Sequence, residues 1–327
     1  MDTSFTTSSP SRPPFFQFMK TPIFLCIAAL SSFARAELTD EQKRVPLEAD
    51  TTDPKLTKIV LLAGSVSSKP GGHEYFAGCA ILANALKQTK GVWPVMAADG
   101  WPKDEHIFDG ARAIVVYADG GAKLPFLEPA RWAKVKSLVD RGAGLVMLHQ
   151  AVDVPEDRAE EIQSWLGGVF RKDIGCRGHW DMSFADFPQH AITRGVAPFS
   201  APGDGWLYDL HFAAGAVPVI TGQVPDKART SADAKAHAGR AETIGWAFER
   251  ANGGRSFAFT GADWHTNWKA EGQRRLVVNG ILWSAKVEIP ESGAPVAFEP
   301  ADIMRNWDDK PKPAAKSAAV PAEKAAK

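Results

Sequence analysis

What most constrains this chain is the way short, wholly apolar runs alternate with amphipathic stretches. Lys58 to Gly64 (KIVLLAG), Val92 to Ala97, Ala113 to Ala118 (AIVVYA) and Gly144 to Leu148 (GLVML) are too short for core helices. They read as strands buried on both faces. Between them, His73 to Gln88 and Phe126 to Arg141 read as helices. In the first helix, Phe76, Cys79, Ala80, Ala83 and Leu86 recur at helical spacing and predict its buried side. Strand and helix in alternation require a mainly parallel sheet with helices on both faces. The second half is less regular. A helix is expected over Glu156 to Leu166, stopping at Gly167-Gly168, and a strand over Trp180 to Ala185. Further strands are expected over Val217 to Thr221, Thr243 to Phe248 and Ser256 to Thr260. The last two are joined by the turn Asn252-Gly253-Gly254, and a helix over Glu271 to Ala285 closes the fold.

The ends read differently. Lys20, the apolar run from Thr21 to Phe33 and the small-x-small site Ala34-Arg35-Ala36 make a secretory signal, with the mature chain starting at Glu37. This predicts a periplasmic or secreted protein. The apolar run is too short to span a bilayer comfortably, so no membrane span is expected once it is removed. The expected organisation is a signal over 1–36, an extension over 37–57, one α/β domain over 58–290 and a C-terminal extension over 291–327. The last part, Lys-, Ala- and Pro-rich from about Asp308, reads as disordered. Lys plus Arg equals Asp plus Glu at 38 each, which gives no electrostatic case for a nucleic-acid partner. Cys79 and Cys176 remain after signal removal; Cys79 falls on the apolar side of a helix, where free thiols are common.

Ligands of open α/β sheets bind beyond the carboxyl ends of the strands. His73 and Glu74 follow the first strand, and Asp119-Gly120-Gly121 the third. His149 follows the fourth, with Asp153 four residues on. Asp263 and His265 follow the last. His179 and His211 lie in Trp-rich segments. Such imidazoles have two uses. His73, His149, His179 and His265 could hold a divalent, zinc-like metal; alternatively, histidines act as general acid and base near neutral pH. No H-E-x-x-H or cysteine pair is present. Nor is there a G-x-G-x-x-G, a P-loop or a G-x-S-x-G elbow, so no nucleotide cofactor and no serine nucleophile are expected. His106, His190 and His237 read as structural or solvated. Eleven tryptophans stand against three tyrosines, and several, such as Trp206 and Trp264, fall in loops where an aromatic face can stack on a sugar.

The run Gly144-Leu145-Val146-Met147-Leu148-His149 resembles the G-L-V-x-L-H block of the trehalose-utilisation (ThuA-like) family. Gly167-Gly168-x-Phe170, His190-Ala191-Ile192-Thr193-Arg194-Gly195, Gly254-Arg255-x-Phe257 and Asn279 to Ser284 (NGILWS) resemble further blocks in the same order. The resemblance covers roughly residues 58–290. It implies a flavodoxin-like fold of the class I glutamine amidotransferase type. There the residue after the corresponding strand is a cysteine nucleophile on a tight turn; here it is His149, so glutamine hydrolysis is not expected. The resemblance implies a link to disaccharide or keto-sugar use. One departure matters: the Asp-Glu-x-x-Tyr pattern is here Asp204-Gly205-Trp206-Leu207-Tyr208, with glycine at the carboxylate position.

The expected function is therefore processing of a sugar or keto-sugar by acid–base chemistry, with or without a metal. His149, His265, Glu74 and Asp153 are the expected catalytic groups. Trp206, Trp264, Asp204 and Tyr208 are expected at the substrate. The alternative is a non-catalytic carbohydrate-binding or partner module.

Overall fold

The computed structural model describes residues 1–2 and 37–311. The chain divides into two units, Met1–Arg35 and Ala36–Lys327, and the second carries the whole α/β sheet. The expected secretory signal lies outside the described residues, apart from its first two. Among the described residues no helix is long and apolar enough to cross a membrane.

The expected sheet is present. Its strands are β1 (Thr57–Ala63), β2 (Val92–Ala97), β3 (Ala113–Tyr117), β4 (Gly144–Leu148), β5 (Val217–Gln223), β6 (Ala241–Glu249) and β7 (Arg255–Phe259). They lie in the order β5-β6-β7-β4-β3-β1-β2. All neighbours from β2 to β7 pair in parallel, and β6 runs antiparallel to both β5 and β7. The longer helices among the described residues are α1 (Tyr75–Leu86), α2 (Pro129–Asp140), α3 (Ala159–Leu166) and α4 (Glu271–Ser284), and a short helix covers Ala232–Ala236. The architecture is a mostly parallel α/β sheet of the flavodoxin-like kind.

Side-chain alternation explains the two layers. Ile59, Leu61 and Ala63 of β1 join the core under α1 and α4, whereas Val60 and Leu62 join the core under α2 and α3. Local chemistry sets the helix ends. The Glu128 carboxylate accepts the amides of Ala130 and Arg131, with Pro129 in the first turn of α2. Gly167, at φ +83°, ends α3 in the left-handed region where glycine carries no Cβ penalty.

Both extensions are built into the fold. Glu48 donates its amide to the Met96 carbonyl, so the N-terminal extension runs beside β2. The C-terminal extension crosses α1 and α4; Ala297 exchanges hydrogen bonds with the Gln88 side chain, both at 2.9 Å. This cover buries α1 nearly all round, not only on the side its spacing predicts. Disorder from Asp308 is not observed at its start. Lys310 is buried, with its ammonium 3.1 Å from the fully buried Glu74 carboxylate and donating to the Gly72 carbonyl at 2.6 Å. A composition-based reading sees lysine as a solvating residue and cannot see its partner more than two hundred positions away. Residues 312–327 lie outside the described part.

Both cysteines among the described residues, Cys79 and Cys176, are free and buried. Burial raises the Cys79 thiol well above its usual range. Burial acts the same way on Cys176, but the Ser231 and Thr230 hydroxyls and amides outweigh it and bring the thiol down to about 7. Ultraviolet thiolate absorbance should therefore show one titration with a midpoint near 7, absent in Cys176→Ser. Packing gives a second expectation. A Cβ at Gly280 would lie 2.2 Å from the Phe257 ring, where α4 meets β7. Gly280→Ala should cost about 1–3 kcal/mol in chemical denaturation, despite alanine's helical preference.

Candidate functional site

Parallel register brings the site together. Phe259 pairs with Leu148, so the residues after them, Thr260 and His149, leave the sheet side by side. His149 turns at φ +54°, a tight left-handed step straight after β4. Its Nδ1 lies 3.0 Å from the Thr260 carbonyl. A carbonyl only accepts, so Nδ1 carries the hydrogen and Nε2 presents a lone pair. Burial, the largest influence, lowers the imidazole to about 4, so it is neutral near pH 7.

His73 arrives from the loop after β1, also with positive φ (+51°). Its Nδ1 is 2.9 Å from the Asp119 carboxylate beyond β3. Ser67, 3.0 Å from the same nitrogen, donates its own hydrogen to Asp119. Tyr75 donates to Asp119 as well, at 2.7 Å. Burial opposes ionisation of Asp119, but the bonds from His73, Tyr75 and Ser67 hold it below the ordinary carboxylate range. Every partner of His73 Nδ1 thus accepts, and in the neutral imidazole Nε2 again presents its lone pair. The two Nε2 atoms stand 3.2 Å apart. Asp263 Oδ1 lies 3.3 Å from the first and 3.6 Å from the second. Two lone pairs and a carboxylate oxygen facing one another repel unless a proton or a cation sits between them.

Asp263 is held from several sides. The buried Asp204 carboxylate accepts the amides of Ala262 (2.9 Å), Trp264 (2.8 Å) and Gly205 (3.1 Å). Burial pushes its carboxyl up to about 6 against those same bonds. Tyr117 donates its hydroxyl to the Ala262 carbonyl. The His73 amide bonds the Asp263 carbonyl, and the His265 amide bonds the Gly71 carbonyl. The departure at position 205 now has a physical reason: a Cβ there would lie 2.4 Å from Asp263 Oδ2. Glycine leaves room for the carboxylate that comes from the other loop.

The cluster floors a cavity of about 320 Å³, at the small end of the ligand-pocket range and suited to a sugar-sized molecule. Its other walls include Lys69, Gln150, Arg177, His179 and Trp264. His179 is well exposed and lies 2.7 Å from Asp263 Oδ2. A groove of about 530 Å³ beside Arg112, Arg141 and Lys286 sits at the amino ends of β3 and β4, away from these groups.

Of the residues expected at the site, His73, His149, His179 and Trp264 meet at this cavity. The structure places His265 elsewhere: fully buried, edge-on to Trp307, and without a ring-nitrogen hydrogen bond of good geometry. Burial brings it down to about 4, with the Ile303 carbonyl a minor opposing influence. Glu74 is turned to the C-terminal extension, accepting the Gly71 and Asp308 amides. Asp153 pairs with Arg177 at 2.7 Å in a neighbouring groove. Asp204 supports the loop from beneath. Trp206 belongs to the cavity lining but is only 1% exposed. Tyr208 donates to the Ala228 carbonyl and packs on Trp180, outside the cavity lining. Sequence reasoning passed over Asp263 in favour of the histidine two residues on, although its place directly after β7 was visible.

Asp204→Ala leaves the Gly205, Ala262 and Trp264 amides without that acceptor. It should cost at least about 3 kcal/mol, at ~1–3 kcal/mol for each orphaned group. Hydrogen exchange at the Ala262 and Trp264 amides should accelerate, and Asp204→Asn, which keeps one acceptor oxygen, should lose less.

The solved structures with this fold include a ThuA-like protein from Bacteroides uniformis. It is 14% identical, with a TM-score of 0.52, covering 75% of this chain and 97% of that one. A ThuA-like protein from Parabacteroides merdae is 13% identical, with a TM-score of 0.51, covering 72% and 92%. At such identities the likeness establishes the fold alone. Among curated proteins nothing matches the chain. The family model for ThuA, trehalose utilisation, matches residues 67–284, well over half of the 327. This span contains every residue of the histidine–carboxylate cluster, and the chain belongs to the ThuA family.

Proposed function

We propose that this protein is an exported carbohydrate-processing enzyme that moves a proton on a sugar or keto-sugar at His73, His149 and Asp263, with a divalent, zinc-like ion held by those three side chains. The observation that carries the reading is the pair of Nε2 lone pairs 3.2 Å apart beside a carboxylate oxygen. The donor set fits such an ion: two neutral imidazoles and one carboxylate. Each imidazole is fixed through Nδ1 by an acceptor, the arrangement that orients metal-binding histidines. When bound, the ion supplies a Lewis acid for a substrate carbonyl or hydroxyl.

The chain's own groups divide the remaining work. Asp119 and Thr260 hold the two imidazoles so that neither has to reorient. His179, exposed at the mouth and bonded to Asp263, can carry a proton at Nε2 between substrate and solvent. Trp264 and Gln150 offer an aromatic face and an amide to sugar hydroxyls. Glu74 and His265 serve the supporting loops. No thiolate is needed for this chemistry.

A second reading, sugar binding without turnover, is favoured by Gly205, where the family pattern has a carboxylate. One experiment separates the two. The chain from Glu37 onward is analysed by elemental mass spectrometry, and deuterium exchange from solvent into keto-sugars is followed by NMR. The enzyme reading expects near-stoichiometric metal and C–H exchange, both lost in His149→Ala and in Asp263→Asn while the fold is kept. Sugar affinity without exchange, unaffected by His149→Ala, selects the binding reading. A chain with neither metal nor exchange refutes the proposal.

A further inference from the structure

Away from the cleft, a second group of ligating side chains converges: Asp209, Asp233 and His237, whose ligand atoms lie within 4.8 Å of one another. Asp209 directly follows the strand Gly205–Tyr208 and holds a left-handed backbone, φ +54°. Asp233 lies on the short helix Ala232–Ala236, and His237 caps its end one turn later. The spacing of four puts both side chains over the same side of that turn, facing Asp209. His237 Nδ1 is 3.1 Å from Asp209 Oδ1 and 3.5 Å from Asp233 Oδ2.

Asp209 decides what this group can be. Its side chain is 3% exposed, and its Oδ2 has no hydrogen-bond partner among the described residues. The nearby cations do not satisfy it. Arg240 reaches Oδ1 only and also bonds both oxygens of Glu242, which Arg229 engages as well. The side chain is thus aimed at a second carboxylate and an imidazole while Arg240 meets it at Oδ1 alone, and two neighbouring carboxylates need a proton or a cation between their oxygens.

We propose that Asp209, Asp233 and His237 form a divalent-cation site for a zinc- or manganese-like ion. Two carboxylates and one imidazole are the donors such borderline ions prefer. Asp233 and His237 are partly exposed, which gives the ion a way in. Binding at His237 Nδ1 uses that nitrogen's lone pair, so the ring hydrogen of the neutral imidazole sits on Nε2 when the ion is held. The site joins the helix Ala232–Ala236 to the end of the strand Gly205–Tyr208, which pairs with Cys176–His179. Gly205, at the other end of that strand, touches Asp263. Gly205 and Asp209 are at most about 13 Å apart along the chain at ~3.3 Å per residue. A cation here is therefore separate from the cleft and stiffens one of its walls.

The test titrates zinc chloride, and separately manganese chloride, into the chain from Glu37 onward by calorimetry, with circular dichroism as the folding control. The Asp263→Asn background removes the cleft cluster's carboxylate. One equivalent should still bind there, weakened about a hundredfold or lost with His237→Ala or Asp233→Asn. The ion should also raise the Tm of Asp263→Asn but not of Asp263→Asn/His237→Ala. Uptake that survives both changes, or no uptake by folded Asp263→Asn, overturns the site. If Asp263→Asn does not fold, the otherwise unaltered chain decides: His237→Ala must bind one equivalent fewer, and unchanged stoichiometry overturns the site. Because the cleft is scored separately through His149→Ala, failure of one site leaves the other standing.

Discussion

The pairing of Phe259 with Leu148 fixes everything beyond it. In a parallel sheet the ends of neighbouring strands are level, so the first residues of two loops must meet. Here they are Thr260 and His149, and the carbonyl of one takes the ring hydrogen of the other. That single bond chooses the tautomer, and the tautomer chooses which nitrogen faces the cavity. A register slip of one residue would turn β7 over and remove the acceptor. The pairing of β1 with β3 does the same for His73 and Asp119, which leave the sheet where the strand order reverses. The histidine cluster is thus a property of sheet register as much as of the histidines.

Asp263 has a different origin. Its loop carries an alanine at φ +72° and is kept in shape by a buried carboxylate, a tyrosine hydroxyl and the antiparallel contact of Gly72 with Trp264. These supports come from three segments far apart in sequence. Asp204 illustrates the division of labour: its chemistry is that of a ligand, but its geometry is that of a brace. A fully buried carboxylate that accepts three backbone amides fixes a loop and does not line the cavity.

The fold was legible because its signals are local. Continuous apolar runs marked β1, β3 and β4, and the turn Asn252-Gly253-Gly254 marked the junction of β6 and β7. The histidines after β1 and β4 could be placed on the strand rule alone. What could not be read depends on pairing at a distance. Glu74 and His265 carry the residue types of a site, yet their partners, Lys310 and Trp307, lie in a tail whose composition suggests solvent. His237, expected to be solvated, faces a carboxylate from the far end of a strand too short to show a pattern. The strands Cys176–His179 and Gly205–Tyr208, which line the cavity, were missed because four residues give no measurable alternation.

The anchoring of Lys310 bears on the order in which the site is finished. Its ammonium grips the carbonyls of Gly72 and His73, so the loop bearing the first histidine is fastened by one of the last described residues. A chain that appears from its N-terminus can pair β1 with β3 and seat His149 on Thr260 before residue 310 arrives. Until then the His73 loop lacks its clasp, and a molecule nicked near residue 305 would return to that half-finished state with its sheet intact. Completion of the cluster therefore reports that the chain has been made at least as far as residue 310, which ties the maturity of the site to the integrity of the polypeptide.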